Sequence, residues 1–302
     1  MTNRTVGRVG QAFPLDLPHT HDRREADSGP SAALRPARRS GILGWLLALP
    51  LTLLLIAPLA ALVWRGLSHP ESVTPATLAT LRQALTLSLT TSAVSLVVIA
   101  LGGLPLAYAI ARRGGPLARA LEVLVDLPIV LPPSVAGIAL LLAFGRNGVI
   151  GRWLADMGIA LGFTTAAVVL AQIFVAAPFF VRAASAAFRR IDRSVEESAS
   201  DLGASPRAVF RTITLPLAAP GLVAGLVLAW ARALGEFGAT IMFAGNFPGI
   251  TQTMPLAIYA QYGAGDLETA VLLSFALLVA SALTLAGVRA LTGQNVGVAR
   301  DL

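Results

Sequence analysis

Arg232 and Glu236 stand four residues apart within the apolar run Pro220–Ala244. That spacing places opposite charges side by side on one helix face. Arg232 follows Pro220 by twelve residues, about 18 Å of helix and past the middle of a hydrocarbon layer. An isolated arginine there costs at least ~2.5–3.5 kcal/mol, so it requires a partner or water. A second group of charges, Asp192, Glu196, Glu197 and Asp201, lies in a polar segment between two long apolar runs. Other chemistry is excluded by composition. With no cysteine there is no disulfide, thiolate metal site or cysteine nucleophile. His19, His21 and His69 all fall outside the apolar runs, so no intramembrane histidine relay or metal centre can form. All 23 basic residues are arginine; without lysine the chain cannot build a Walker A loop, and any ATP-driven role needs a motor on another subunit.

The elements that must position these residues follow from hydropathy. Of 302 residues, 55% are hydrophobic and 13% charged, about half the charge of a soluble domain. A hydrocarbon core of about 30 Å takes roughly 20 apolar residues in helix. Six runs qualify: Ile42–Trp64, Leu85–Ala111, Leu121–Phe144, Thr164–Val181, Pro220–Ala244 and Ala270–Val288. In the third, Pro128 and the pair Pro132–Pro133 are expected to kink or interrupt the helix. Residues 1–40, rich in Pro, Arg, Asp and Ser, read as a disordered tail. The run after them, placed at 41–64, exceeds a signal-peptide core and is expected to remain as a span. The expected fold is therefore an all-α integral membrane protein with six transmembrane helices.

Arginine placement orients it. Eighteen arginines lie in the N-tail, the second-to-third and fourth-to-fifth connections and the C-tail, against Arg65, Arg82, Arg146 and Arg152 on the other side. The bias predicts both termini in the cytoplasm of a cell-membrane protein. The basic balance is thus topological and does not point to nucleic acid.

The cytoplasmic connection (189–219) has a definite pattern. Ile191, Val195, Ala199 and Leu202 share a helical face. Asp192 opens the helix and Gly203 supplies a left-handed cap. Ser205 and Pro206 then read as N-cap and first-turn proline of a second short helix, presenting Val209, Phe210 and Ile213 and ended by Leu215-Pro216. The hairpin could rest on lipid headgroups, but its carboxylates would be repelled by anionic lipid; a protein partner fits better.

The spacing Glu197-Ser198-Ala199, three residues, Gly203, nine residues, Ile213-x-Leu215-Pro216 resembles the coupling loop of permease subunits of binding-protein-dependent ABC importers, with Ser198 where the family usually has alanine. The similarity spans residues 85–291, with 41–64 an additional first helix. It implies a type I ABC importer fold with a cytoplasmic coupling-helix hairpin. It also implies ATPase-docking residues Glu196, Glu197, Ala199, Gly203, Ile213, Leu215 and Pro216, centred on Glu197, Ala199 and Gly203. The implied partners are a second copy of the chain, two ABC ATPase subunits that bind ATP and Mg, an extracytoplasmic oxyanion-binding protein and membrane lipid. The chain itself would hold no cofactor and catalyse no bond chemistry.

Two further stretches, Leu127–Gly137 and Ala233–Thr240 with its continuation through Asn246 to Tyr259, are similar to permeases of molybdate importers. Sulfate permeases share the Gly-Glu-aromatic-Gly and Ala-Gly-Asn-x-Pro elements, and tungstate permeases are close relatives. The resemblance makes Pro132, Pro133, Ser134, Arg232, Glu236, Thr240 and Asn246 translocation-path candidates. Each keeps a plainer reading. Arg232 and Glu236 form either a gated charge guiding an oxyanion or a structural ion pair; the prolines with Ser134 either shape the path or only break a helix. Asn246–Pro255 is a contact for the binding protein, an outer gate or a connector. Asp126 reads as a membrane-boundary residue near the cytoplasm. Trp153, Leu154 and Met157 read as a short interfacial helix with no assigned function. A secondary transporter would need several buried carboxylates for ion coupling, and an intramembrane enzyme a His- or Cys-based constellation; the spans offer neither.

Overall fold

The computed structural model describes residues 40–68 and 73–298. The tail expected over 1–40 and His69 therefore lie, Ser40 apart, outside the described residues. The chain divides at Leu53/Leu54 into two units. Within the described residues the first holds only the N-terminal half of α1 (Ser40–Ser68), whose leucines from Leu46 on are exposed. All regular structure among the described residues is helical.

In the second unit, α2 (Pro75–Arg112) begins at Thr74, whose hydroxyl accepts from the Thr77 amide at 3.1 Å, with Pro75 where no donor is needed. The third apolar run is broken as its prolines predict. Helix α3 (Pro116–Val130) and α4 (Pro133–Phe144) are bent by 117° across Leu131–Pro132. A six-residue helix, α5 (Gly151–Asp156), precedes α6 (Thr165–Arg189), which is capped by Thr164 and crosses as the central helix. Then come α7 (Arg193–Asp201) and α8 (Pro206–Val209), a π-turn over Phe210–Thr214, and α9 (Leu215–Leu234). Two short helices, α10 (Gly238–Phe243) and α11 (Met254–Gly263), lead to α12 (Leu267–Val298). Five helical stretches are long and apolar enough to cross a membrane, six if the bent pair counts as one span.

Two expectations are corrected. Leu215-Pro216 does not end the second hairpin helix; the chain runs on as one helical stretch of 29 residues, Pro206–Leu234. The Leu215 amide bonds to the Phe210 carbonyl across the π-turn, so Pro216, with no N–H, falls at the first turn of α9, where the hydrogen-bond pattern restarts. The fifth run, read as a single segment to Ala244, stops at Leu234. Gly235 caps α9, and the chain breaks before α10.

The core is built from small residues. Ala107, Ala176, Ala184, Ala218, Ala229 and Ala233 are buried where α2, α6 and α9 pack. Small side chains let helix backbones approach in lipid, where no hydrophobic force drives them together. A Cβ on Gly103 would stand 2.8 Å from the Phe180 ring, and one on Gly225 2.8 Å from the Ala183 methyl. A second cluster joins α4, α6 and α10 through Leu140, Val168, Val175 and Phe243. Between α2 and α6, Gln172 donates to Thr91 Oγ1 (3.2 Å) and accepts from Ser95 Oγ (2.9 Å). Ser88, one turn above Ser92, accepts from the Met254 amide at 2.7 Å and so ties the start of α11 to α2.

Candidate functional site: a polar hairpin and a broken helix

The hairpin forms as local chemistry dictates. Asp192 accepts from the Ser194 amide at 3.0 Å as N-cap of α7; this bond holds its carboxyl below the ordinary carboxylate range. At the other end Gly203 has φ +90°. Its amide bonds to the Ser200 carbonyl and that of Ala204 to the Ala199 carbonyl, the paired bonds of a Schellman cap. Ser205 caps α8 by accepting from the Ala208 amide. Helix α7 buries no residue fully. Of its expected apolar face, Ile191 is buried but Val195 is 44% and Leu202 90% exposed, leaving an apolar stripe beside exposed Glu197 and Asp201. Ala199, Ile213 and Leu215 are half-buried, and Pro216 is exposed.

Glu196 behaves differently from its neighbours. The sequence groups it with the outward carboxylates, but it turns inward. Its Oε1 lies 2.7 Å from Arg112 Nη2 at the end of α2 and accepts from Thr214 Oγ1 at 2.7 Å. Arg112 also donates to the Ile191 carbonyl at 3.4 Å, and Arg193 donates to the Arg112 carbonyl at 3.0 Å. One turn before Arg112, Tyr108 packs edge to face on both Phe188 and Phe210, its ring centre 5.3 and 5.1 Å from theirs. Sequence reasoning missed Arg112 and Thr214. The available signal was Tyr108 and Arg112 at i, i+4 in the last turn of a span that ends at the hairpin.

The second polar cluster lies at the far end of α9. Arg232 and Glu236 pair as their spacing predicts, Nη2 to Oε2 at 2.7 Å, with the Glu236 side chain fully buried and that of Arg232 29% exposed. Glu236 Oε1 also accepts from the Ala239 amide at 2.7 Å, so one carboxylate neutralises the arginine and caps the chain after the break. The two stretches singled out by sequence meet here. Pro133, at the start of α4, touches the α-carbon face of Gly238, and a Cβ on Gly137 would stand 2.6 Å from Met242 Cβ and 2.8 Å from the Ala239 carbonyl. Pro132, Pro133 and Ser134 are exposed at the α3–α4 corner. Thr240 is buried, and among the described residues its hydroxyl has no partner; Asn246 donates to the Leu256 carbonyl at 3.2 Å, which fixes the start of the loop between α10 and α11. Within that loop Thr251 accepts from the Phe247 amide, and Thr165 at the start of α6 ties it down by donating to the Ile250 carbonyl. Towards the C-terminal end of α6, Arg189 pairs with Glu122 at 2.8 Å and Arg182 approaches Asp126 at 3.6 Å. In α5, Trp153 is exposed with the Arg152 guanidinium over its ring.

Long apolar helices, one pair of them sharply bent, together with one ordered polar hairpin mark a membrane-spanning protein. The model of the family described as binding-protein-dependent transport system inner membrane component matches residues 103–293, and the chain belongs to that family. It is 49% identical over 229 residues, 76% of this chain and 83% of the relative, to the molybdenum transport system permease protein ModB of Mycobacterium tuberculosis. It is 32% identical over 277 residues, 91% of this chain and 98% of the relative, to a probable sulfate transport system permease protein of Nephroselmis olivacea. Among solved structures, the bacterial alginate ABC transporter in complex with an alginate pentasaccharide-bound periplasmic protein matches with a TM-score of 0.65 at 18% identity, covering 84% of this chain and 94% of that one. That likeness shows the fold.

Proposed function

We propose that this chain is the permease subunit of an ATP-driven molybdate importer. The observation that carries this reading is the 49% identity to a molybdenum permease over 76% of the chain. The two stretches that resemble molybdate permeases also pack against each other, Pro133 on Gly238, around the α9–α10 break. Two copies enclose the path, with both termini and the hairpin on the cytoplasmic side, as the arginine bias requires. Each hairpin docks an ABC ATPase through Glu197, Ala199, Gly203, Ile213, Leu215 and Pro216. The exposed stripe of Val195 and Leu202 beside Glu197 and Asp201 supplies an apolar surface with a charged rim for that partner. ATP and Mg are held by the ATPase, and this subunit makes or breaks no bonds. A separate extracytoplasmic protein delivers the oxyanion, and closure of the ATPases moves the hairpins and alternates the access of the paired permeases.

In this reading the Arg232–Glu236 pair sets the electrostatics of the path. A bare guanidinium would trap a dianion; one neutralised by a buried carboxylate leaves a polar, weakly attractive surface from which the cargo departs. Pro132, Pro133, Ser134, Thr240 and Asn246 line or brace the same region. The test is binding-protein-dependent uptake in proteoliposomes holding the co-purified ATPase, with molybdate, tungstate and sulfate in competition. ATP-dependent uptake blocked by tungstate but not by excess sulfate is expected. Sulfate uptake would favour the reading suggested by the 32% identity to a sulfate permease across nearly the whole chain, and uptake without ATP would overturn both.

A further inference from the structure

Glu196 joins elements that are far apart in sequence. One oxygen receives the last residue of α2, Arg112, and the last residue of the π-turn, Thr214, each at 2.7 Å. Its own helix, α7, fully buries none of its side chains. The side chains of Arg112 and Glu196 are 12% and 15% exposed, so water screens the pair little. A charge-assisted contact this short is also directional; it fixes where α7 sits against α2 rather than merely attracting it. The π-turn that Thr214 closes carries one residue more than an α-turn, a place where a helix can absorb a change of register. Beyond it α9 runs as a single helix to the Arg232–Glu236 break.

We infer that Arg112, Glu196 and Thr214 form the joint that passes displacement of the hairpin into α2 and α9, so that Glu196 is a positioning residue for coupling and not a contact for the ATPase. The inference rests on the importer reading above. Glu197, its exposed neighbour, keeps the docking role. The aromatic set Tyr108, Phe188 and Phe210 backs the joint from inside, so a push on α7 reaches three helices at one point. If α7 moved independently of α2, ATP hydrolysis would proceed while the path stayed in one conformation.

The experiment uses the assembled complex in proteoliposomes and reads three quantities: co-purified ATPase, binding-protein-stimulated ATP hydrolysis, and molybdate taken up per ATP hydrolysed. Glu196→Gln and Arg112→Gln are expected to keep the ATPase bound and to lower uptake per ATP by about tenfold. The exchange Arg112→Glu with Glu196→Arg is expected to recover part of that loss, the non-additivity that marks a direct pair. Thr214→Val removes a single hydroxyl at constant shape, keeps the argument testable if the charge variants fail to fold, and is expected to lower the ratio by about threefold. Loss of the ATPase from Glu196→Gln complexes would make Glu196 a docking contact and overturn the inference, and so would unchanged uptake per ATP in all three single variants. Failure of the wild-type complex to take up molybdate with ATP would instead overturn the importer reading.

Discussion

The helical stretch Pro206–Leu234 touches an arginine–glutamate pair near each end, and in both the charged atoms stand 2.7 Å apart. From Thr214 to Arg232 is about 27 Å at 1.5 Å per residue, so one rod connects them. The pairs differ in what they join. Arg232 and Glu236 are neighbours on the same chain segment, and the carboxylate's second oxygen caps the Ala239 amide; the pair fixes the shape of a single break. Arg112 and Glu196 come from different elements, 84 positions apart in sequence, and share Thr214 as a third member; the pair fixes the position of one element against two others. The local pair is a brace and the distant pair is a joint. Exposure does not separate the two: Arg232 is 29% exposed beside its buried carboxylate, and Arg112 and Glu196 are 12% and 15% exposed; the difference lies in which elements each pair ties together.

The strongest break of this comparison is Glu236→Ala. It leaves Arg232 uncompensated and the Ala239 amide without its acceptor, and removing one partner of a buried pair costs about 3–5 kcal/mol. The expected result is a large fall in thermal stability of the detergent-purified protein and loss of uptake in the same measurement series. Glu236→Gln keeps an acceptor for Ala239 and is expected to lose less. If Glu236→Gln leaves both stability and uptake at wild-type levels, the pair is not a brace.

Gly203→Val tests the hairpin without touching either pair. The residue has φ +90°, and a left-handed conformation costs an L side chain about 1–2 kcal/mol, most for a β-branched one. The protein is expected to insert and fold, while ATP-driven uptake falls by about tenfold or more because the turn between α7 and α8 is displaced. Gly203→Asn, which tolerates the left-handed region, is expected to retain most uptake. Normal uptake by the valine variant would separate the hairpin from coupling.

Gly238→Ala has a smaller expected effect and sharpens the account of the brace. The new methyl would collide with Pro133, and overpacking of this kind costs about 1–3 kcal/mol. Reduced stability is expected, with uptake lowered in proportion. A variant as stable as the wild type would mean that α4 and α10 can separate there.

These differences also decide what was legible in the residues alone. The apolar runs, the caps at Asp192, Gly203 and Ser205, the interruption at Pro132 and the Arg232–Glu236 pair all rest on interactions within a few positions, and periodicity or spacing exposes them. The break at Gly235–Phe237 was hidden because it falls inside an otherwise apolar run, Pro220–Ala244, and the carboxylate folding back on Ala239 reveals it. Pro216 read as a stop because a proline interrupts an α-helical ladder, whereas the π-turn before it had already shifted the ladder. Glu196 was grouped with Glu197 because both are acidic and adjacent. Which one faces inward depends on Arg112, a residue that in sequence serves equally well as a topological charge at the end of a span.

The smallest expected effect concerns pH. The carboxyl of Asp192 lies below its ordinary value, chiefly because it accepts from the Ser194 amide. A group depressed on folding stabilises fully above its unfolded pKa, about 3.9 for aspartate, and that contribution is lost as pH falls through the lower folded value. The start of α7 should therefore be indifferent to pH across the neutral range and fray only in acid, below about pH 4. Asp192→Asn preserves a good N-cap acceptor without a titrating charge, so its α7 amides should keep neutral-pH protection and show a flatter acid response. Hydrogen exchange of Ser194–Glu196, corrected for intrinsic rates, checks this. If wild type and the asparagine variant fray together in acid, the Asp192 cap does not control the start of α7, and its contacts to Arg112 hold that end more firmly than the cap does.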